Sequence, residues 1–141
     1  MLHQISQTQA DRDHLPPSEI QNISPYHNPG HVLAPPRQWL EGLLRSEFPW
    51  HFFRLRYKNL LRRRFREEPA RFFSLLEASE HDHEMYLTCH CLAGHCHREI
   101  AAEFMETLRR QEPYQRHRAA QAAHRLPVAA TNASMRLVSN G

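Results

Sequence analysis

The sequence predicts a small, mostly helical α/β single domain with a short parallel sheet and a Cys/His loop between one strand and one helix. Three observations carry that reading. Apolar residues recur at three-and-four spacing from Trp50 to Leu61 and again from Ile100 to Leu108, as one buried face of a helix requires. The run Met85-Tyr86-Leu87-Thr88-Cys89 is short, apolar and bounded by polar residues, the pattern of a buried strand. The end of that strand and the stretch leading into the last periodic helix hold all three cysteines of the chain, with His90, His95 and His97 among them.

The chain has 141 residues, enough for about one domain with one modest core. Residues 1–24 are polar, rich in Gln, Ser and Asp, and contain Pro16-Pro17; they are expected to form a disordered or loosely attached arm. Residues 25–112 are expected to carry the α/β domain. It opens on YHNPGHVLAPP, where Asn28-Pro29-Gly30 signals a turn and Pro35-Pro36 leads into a helix. Trp39, Leu40, Leu43 and Leu44 place that helix over about Arg37–Arg45.

After Pro49, Trp50, Phe53, Tyr57, Leu60 and Leu61 mark the longest helix. Pro69 breaks it and suits the first turn of the next, whose apolar residues are Phe72, Phe73, Leu75 and Leu76. A charged turn precedes the strand at Met85, and Leu92-Ala93-Gly94 forms the loop that follows it. From Cys96 or His97 a final helix runs toward Pro113, with Glu99 in its first turn and Arg109-Arg110 in its last, as the helix dipole favours. Residues 113–141 read as a weakly structured tail with a helical turn or two over Arg116–Arg125. A single strand makes no sheet, so its partners are sought in His31–Leu33, in Met135–Val138 or in a second subunit.

Composition narrows the function classes. No stretch approaches the roughly 18 apolar residues of a membrane span, and the polar N-terminus lacks the apolar middle of a secretory signal. Three cysteines packed together do not make a disulfide framework, so a reducing, cytoplasmic location is expected, where thiols serve as ligands or reactive groups. The net charge is +3, carried by seventeen arginines and a single lysine, Lys58. Arginine presents a planar fork suited to phosphate and carboxylate. Twelve histidines make the charge sensitive to mild acid.

The chemistry concentrates in Cys89–Arg98. In a strand, Cys89 and Cys91 share a face, and the loop returns Cys96 and His97 to the opening of a helix. Free backbone N–H groups and the helix dipole favour an anion there, and the same field favours the thiolate of a cysteine. Cys96, His97 and Arg98 are therefore the catalytic candidates: Cys96 as the activated thiol, His97 tuning or protonating, Arg98 holding an anionic group. Cys91, Gly94 and Arg98 would line the ligand site, with Cys89 and Cys91 at its floor. The favoured ligand is a phosphate-bearing small molecule such as a nucleotide. His90-Cys91 with Arg98 leaves six residues between Cys and Arg, one more than the phosphate-binding loop of cysteine phosphatases, which argues against that reaction.

Two alternatives stand beside this reading. Cys89, Cys91, Cys96 and His97 offer sulfur and nitrogen ligands of the kind zinc accepts, although C-x-C-x4-C-H differs from the usual paired C-x2-C spacing. Arg56, Lys58, Arg62, Arg63 and Arg66 form a basic helical stripe that could contact a nucleic-acid backbone, where a solvated helix face is the plainer explanation.

The stretches VLAPPRQWL, FPWHFFRLRYKNLL and YLTCHCLAGHCHREI resemble the domain-of-unknown-function 488 family of uncharacterised prokaryotic proteins, over about Val32–Leu108. The first is similar to that family's Leu-Ala-Pro-Ser turn, the second to its W-x2-F-x3-Y helix, the third to its strand, cysteine-bearing loop and Cys-His-Arg helix start. The related domain-of-unknown-function 4326 family shares the Cys-x-Cys and Cys-His ending. The resemblance implies a small α/β domain with this loop as its site, and it implies no particular reaction. Long members of the first family open with a strand, for which residues 1–24 offer no evident counterpart.

Overall fold

The computed structural model describes residues 1–80, 83–89 and 95–124. Chain order is β1 (Leu2–Ser6), α1 (Gln7–Arg12), a 3-10 turn (Pro17–Glu19), β2 (Ile20–Asn22), α2 (Arg37–Leu44), α3 (Trp50–Glu67), α4 (Pro69–Ala78), β3 (Met85–Cys89) and α5 (His97–Arg110). Two compact units divide the chain, Met1–Thr107 and Leu108–Gly141.

The first unit is built on a three-stranded parallel sheet of order β1-β3-β2. β3 takes the centre for a chemical reason: Met85, Leu87, Thr88 and Cys89 are all buried, and a strand covered on both faces must be apolar throughout. β1 and β2 flank it in register, Leu2 opposite Met85, Ser6 opposite Cys89, and Asn22 opposite Thr88. Ile23 extends the ladder by donating its N–H to the Thr88 carbonyl at 2.8 Å. The carboxyl edge of the sheet thus comprises Ser6, Cys89 and Asn22.

This corrects two expectations. The N-terminal segment is not a loose arm: it supplies both strands that complete the sheet, tied by α1, which Ser6 caps through a bond from Gln9 N–H to its Oγ at 3.1 Å. Its polar residues fit because edge strands are half-exposed, and several find specific partners. His3 stacks on Tyr86 across the ladder with ring centroids 4.8 Å apart, and Thr88 donates its hydroxyl to Gln7 Oε1 at 2.6 Å. The segment His31–Leu33, expected as a strand, forms a bend and turn instead, and Met135–Val138 lies outside the described residues.

The helices follow the periodicity. α3 buries Phe53, Tyr57, Leu60 and Leu61, and α4 starts with Pro69 in its first turn and buries Phe72 and Leu76. Phe65 meets Phe72 and Phe73 edge-on, closing the α3–α4 corner, and Phe72 meets Phe104 of α5. No described helix is long and apolar enough to cross a membrane. In the second unit residues 112–124 form a helix, longer than the turn or two expected of the tail.

The turn over residues 30–34 is fastened to α3 and α4 by its carbonyls. Arg71 Nη2 donates to Gly30 O at 2.7 Å, Arg64 Nη1 donates to Val32 O at 2.8 Å and to Ala34 O at 2.6 Å, and the buried Tyr57 hydroxyl donates to Leu33 O. His31 completes the clamp. Its Nδ1 accepts the Leu33 N–H at 3.0 Å, so the ring is protonated at Nε2, which reaches Gln21 Oε1 at 2.8 Å. Burial, with Arg71 and Arg64 nearby, lowers the His31 pKa from 6.5 to about 4. Arg64 is itself held below the usual arginine range, first by burial.

Candidate functional site

β3 ends at Cys89 on the carboxyl edge of the sheet, and α5 begins at His97. Cys96 immediately precedes α5, so strand end and helix start bring two cysteines and one histidine together. Their ligand-type atoms all lie within 4.8 Å of one another, and all three residues are buried. Cys91 and Gly94, expected in the same site, lie outside the described residues.

Neither Cys89 nor Cys96 is in a disulfide, and their sulfurs are 2.9 Å apart. At that separation one sulfur is hydrogen-bonded to the other. Cys96 Sγ also accepts from the Arg98 side-chain Nε at 3.2 Å and from the Arg98 backbone N–H at 3.5 Å. Two Arg98 donors and the Cys89 sulfur therefore converge on one sulfur at the start of a helix. Such an arrangement favours negative charge at Cys96, since charge-assisted hydrogen bonds are roughly twice as strong as neutral ones. Burial opposes a lone thiolate, but a guanidinium in direct contact offsets that cost.

His97 is engaged differently from the role its sequence position suggests. Its Nε2 lies 2.9 Å from Ile23 O, and a carbonyl can only accept, so this nitrogen carries the proton. His97 also meets Tyr57 edge-on with ring centroids 6.2 Å apart. The ring thereby connects three pieces: the exit of β2, the middle of α3 and the Cys96 sulfur beside it. Arg98 sits within hydrogen-bond reach of Cys96.

Two contributors were not singled out from the sequence. Trp50, at the start of α3, stacks on His95 with centroids 4.5 Å apart and planes 10° from parallel, covering the residue just before Cys96. Arg64 holds the 30–34 turn. Its signal was available, because it falls four residues after Leu60 and three after Leu61, on the apolar face and not on the solvated stripe.

The basic stripe is partly occupied. Arg56 lies over the Trp39 ring at 4.1 Å, and Lys58 and Arg54 both reach Glu103 at 3.2 Å. Those two cations hold the Glu103 carboxyl below the usual range, the Lys58 hydrogen bond foremost. Arg62, Arg63 and Arg66 are exposed, with Arg62 donating to Asn59 at 3.0 Å.

A parallel three-stranded sheet with helices, and a thiol cluster where the central strand feeds a helix, define a small α/β domain with its candidate site on the carboxyl edge. The chain belongs to the DUF488 family: the model of the group described as the active DUF488-N3 subclade matches residues 5–109, a span from β1 into α5. No curated protein and no solved structure matches it.

Proposed function

We propose that this member of an uncharacterised family uses Cys96 as a reactive thiolate in a site for a phosphate-bearing small molecule, a nucleotide among the candidates. The observation that carries the reading is the convergence of Arg98 Nε, the Arg98 N–H and Cys89 Sγ on Cys96 Sγ. In this reading Arg98 pairs with the thiolate and presents the planar fork that suits phosphate. The helix start supplies backbone N–H groups and a favourable dipole end, and the carboxyl edge of a parallel sheet is where open α/β folds bind ligands. His97 positions the segment at Ile23, and the ligand-lining roles expected of Cys91 and Gly94 belong to the same proposal. A cytoplasmic setting, which keeps thiols reduced, belongs to the same reading.

The test is a titration of thiolate ultraviolet absorbance, taken as the difference between wild type and Cys96→Ser. A thiolate already present at neutral pH is expected, against free cysteine near 8.5. No difference at neutral pH refutes the thiolate. Thermal stabilisation by inorganic phosphate or a nucleotide, lost in Arg98→Gln, is expected of the anion site, and its absence refutes that half.

Zinc is the second reading, because Cys89, Cys96 and His97 gather as a ligand set. Two zinc–sulfur bonds of about 2.3 Å at a tetrahedral angle hold sulfurs about 3.8 Å apart, so an ion would require this pair to open from 2.9 Å and the guanidinium to leave Cys96. Elemental analysis of anaerobically purified protein with a thiol count decides: stoichiometric zinc with protected thiols would replace the thiolate reading. Nucleic-acid binding through Arg56, Lys58, Arg62, Arg63 and Arg66 predicts salt-steep affinity for generic DNA or RNA, indifferent to Cys96→Ser.

A further inference from the structure

We infer that Cys89 and Cys96 form a peroxide-reactive dithiol, in which Cys96 is the sulfur oxidised first and Cys89 the sulfur that closes the disulfide. The inference rests on the thiolate reading of Cys96 and adds a means of regulating the same site.

Geometry is the first support. The two sulfurs are in direct contact at 2.9 Å, and neither is in a disulfide. A disulfide needs about 2.05 Å, so a closure of less than about 1 Å joins them. They are fixed in place by different elements: Cys89 by the register of β3 against β1, where it pairs with Ser6, and Cys96 by the start of α5. The contact is thus a property of the strand–helix junction.

Chemistry is the second. The Cys96 thiolate attacks one oxygen of hydrogen peroxide; the S–O bond forms, the O–O bond breaks and hydroxide leaves. That hydroxide takes the Cys89 thiol proton and becomes water. The Cys89 thiolate then attacks the Cys96 sulfenic sulfur; the S–S bond forms, the S–O bond breaks and a second hydroxide leaves. Two electrons pass from the sulfur pair to the peroxide. The donors around Cys96 favour the first step by stabilising the thiolate, and Cys89 stands within reach for the second.

Burial sets the oxidant class. Cys89 is 0% and Cys96 5% exposed, which excludes a bulky disulfide such as oxidised glutathione and restricts the oxidant to one as small as hydrogen peroxide. The consequence is regulatory. A neutral disulfide is a poor acceptor, so oxidation removes both the nucleophile and the anion that Arg98 faces. It also spares Cys96 from irreversible sulfinic acid, the fate of a thiolate with no resolving partner.

The experiment treats the reduced full chain with equimolar hydrogen peroxide, blocks remaining thiols with an alkylating agent in denaturant, and maps the peptides by mass. The expected product is a Cys89–Cys96 linked peptide pair with Cys91 alkylated, formed at least about tenfold faster than with oxidised glutathione. In Cys89→Ala the expected product is a Cys96 sulfenic acid that dimedone traps. Linkage of Cys91 to either cysteine, sulfinic acid at Cys96 without linkage, or intact thiols overturns the inference, and the wild-type map gives that answer without any variant. The thiolate titration separates the two readings. A thiolate at neutral pH without linkage overturns the dithiol alone, whereas linkage with no thiolate supports the pairing and overturns the nucleophile.

Discussion

Mild acid should weaken this protein through His31, and the structure fixes both sign and size. The ring is neutral, with Nδ1 accepting the Leu33 N–H at 3.0 Å, and a second proton would place an N–H against an N–H. Arg71 of α4 and Arg64 of α3 add like charge nearby, Gln21 is neutral, and the acidic Glu68 is engaged with Arg71 at 3.1 Å. Burial and those cations move the pKa from 6.5 to about 4. The unfolded chain therefore takes up the proton first. Stability is full above about pH 6.5, falls as pH drops below it, and stops falling from this source near pH 4. At 1.36 kcal/mol per unit the whole loss is about 3 kcal/mol, of which about 2 kcal/mol has gone by pH 5. Urea unfolding of wild type and His31→Gln at about pH 7.5 and pH 5 reads the difference, with other histidines cancelling between the two proteins. Wild type should lose about 2 kcal/mol more than the variant. Equal losses would refute the assignment of tautomer and clamp.

Other substitutions test neighbouring parts of the same construction. Tyr57→Phe removes the donor to the Leu33 carbonyl and should cost about 1–3 kcal/mol in urea unfolding, since a buried acceptor is left short of a partner. Thr88→Val removes the hydroxyl bonded to Gln7 Oε1 and should cost about 1 kcal/mol, measured by thermal unfolding. Arg98→Gln should move the Cys96 thiolate titration upward by about 1–2 pH units, the worth of a charge-assisted bond of about 1.5–3 kcal/mol, and by linkage should lower stability at neutral pH by about 1–3 kcal/mol in urea unfolding.

How much of this was legible in the sequence depended on whether an element carried its own signal. β3 and α5 did: a five-residue apolar run has few other uses, and Glu99 and Arg109-Arg110 mark the two ends of the helix after it. α2, α3 and α4 were fixed by proline at their starts and by apolar spacing. β1 and β2 carried no such signal. LHQIS and IQN are short, half-exposed and polar, and they are strands because β3 offers them two unpaired edges; tertiary context, not propensity, decides them. The site divides the same way. Spacing placed Cys96, His97 and Arg98 at a helix start after a strand, but the Cys89–Cys96 contact depends on where the chain re-enters after the loop, which no local pattern encodes. The bond from His97 to Ile23 was out of reach for the same reason, since it links residues 74 apart.

That bond changes how the rest of the molecule bears on the thiol centre. Ile23 is held by Thr88 of the central strand on one side and by His97 on the other. His97 in turn meets Tyr57, whose hydroxyl holds Leu33 in the turn that His31, Arg64 and Arg71 clamp. From the turn to His97, the neighbour of Cys96 in the chain, there is thus a path of hydrogen bonds and one ring contact through Tyr57. If the path transmits order, a lesion at the turn should be felt at the sulfur. Tyr57→Phe and His31→Gln would then broaden or shift the Cys96 thiolate titration, although neither side chain bonds to Cys96 in the structure. Thr88→Val does not serve as the control, since Ile23 bonds the Thr88 backbone; Glu103→Gln, at an exposed ion pair off the path, does. A Cys96 titration that moves equally in Glu103→Gln and Tyr57→Phe would show that the site responds to overall stability and not to this route.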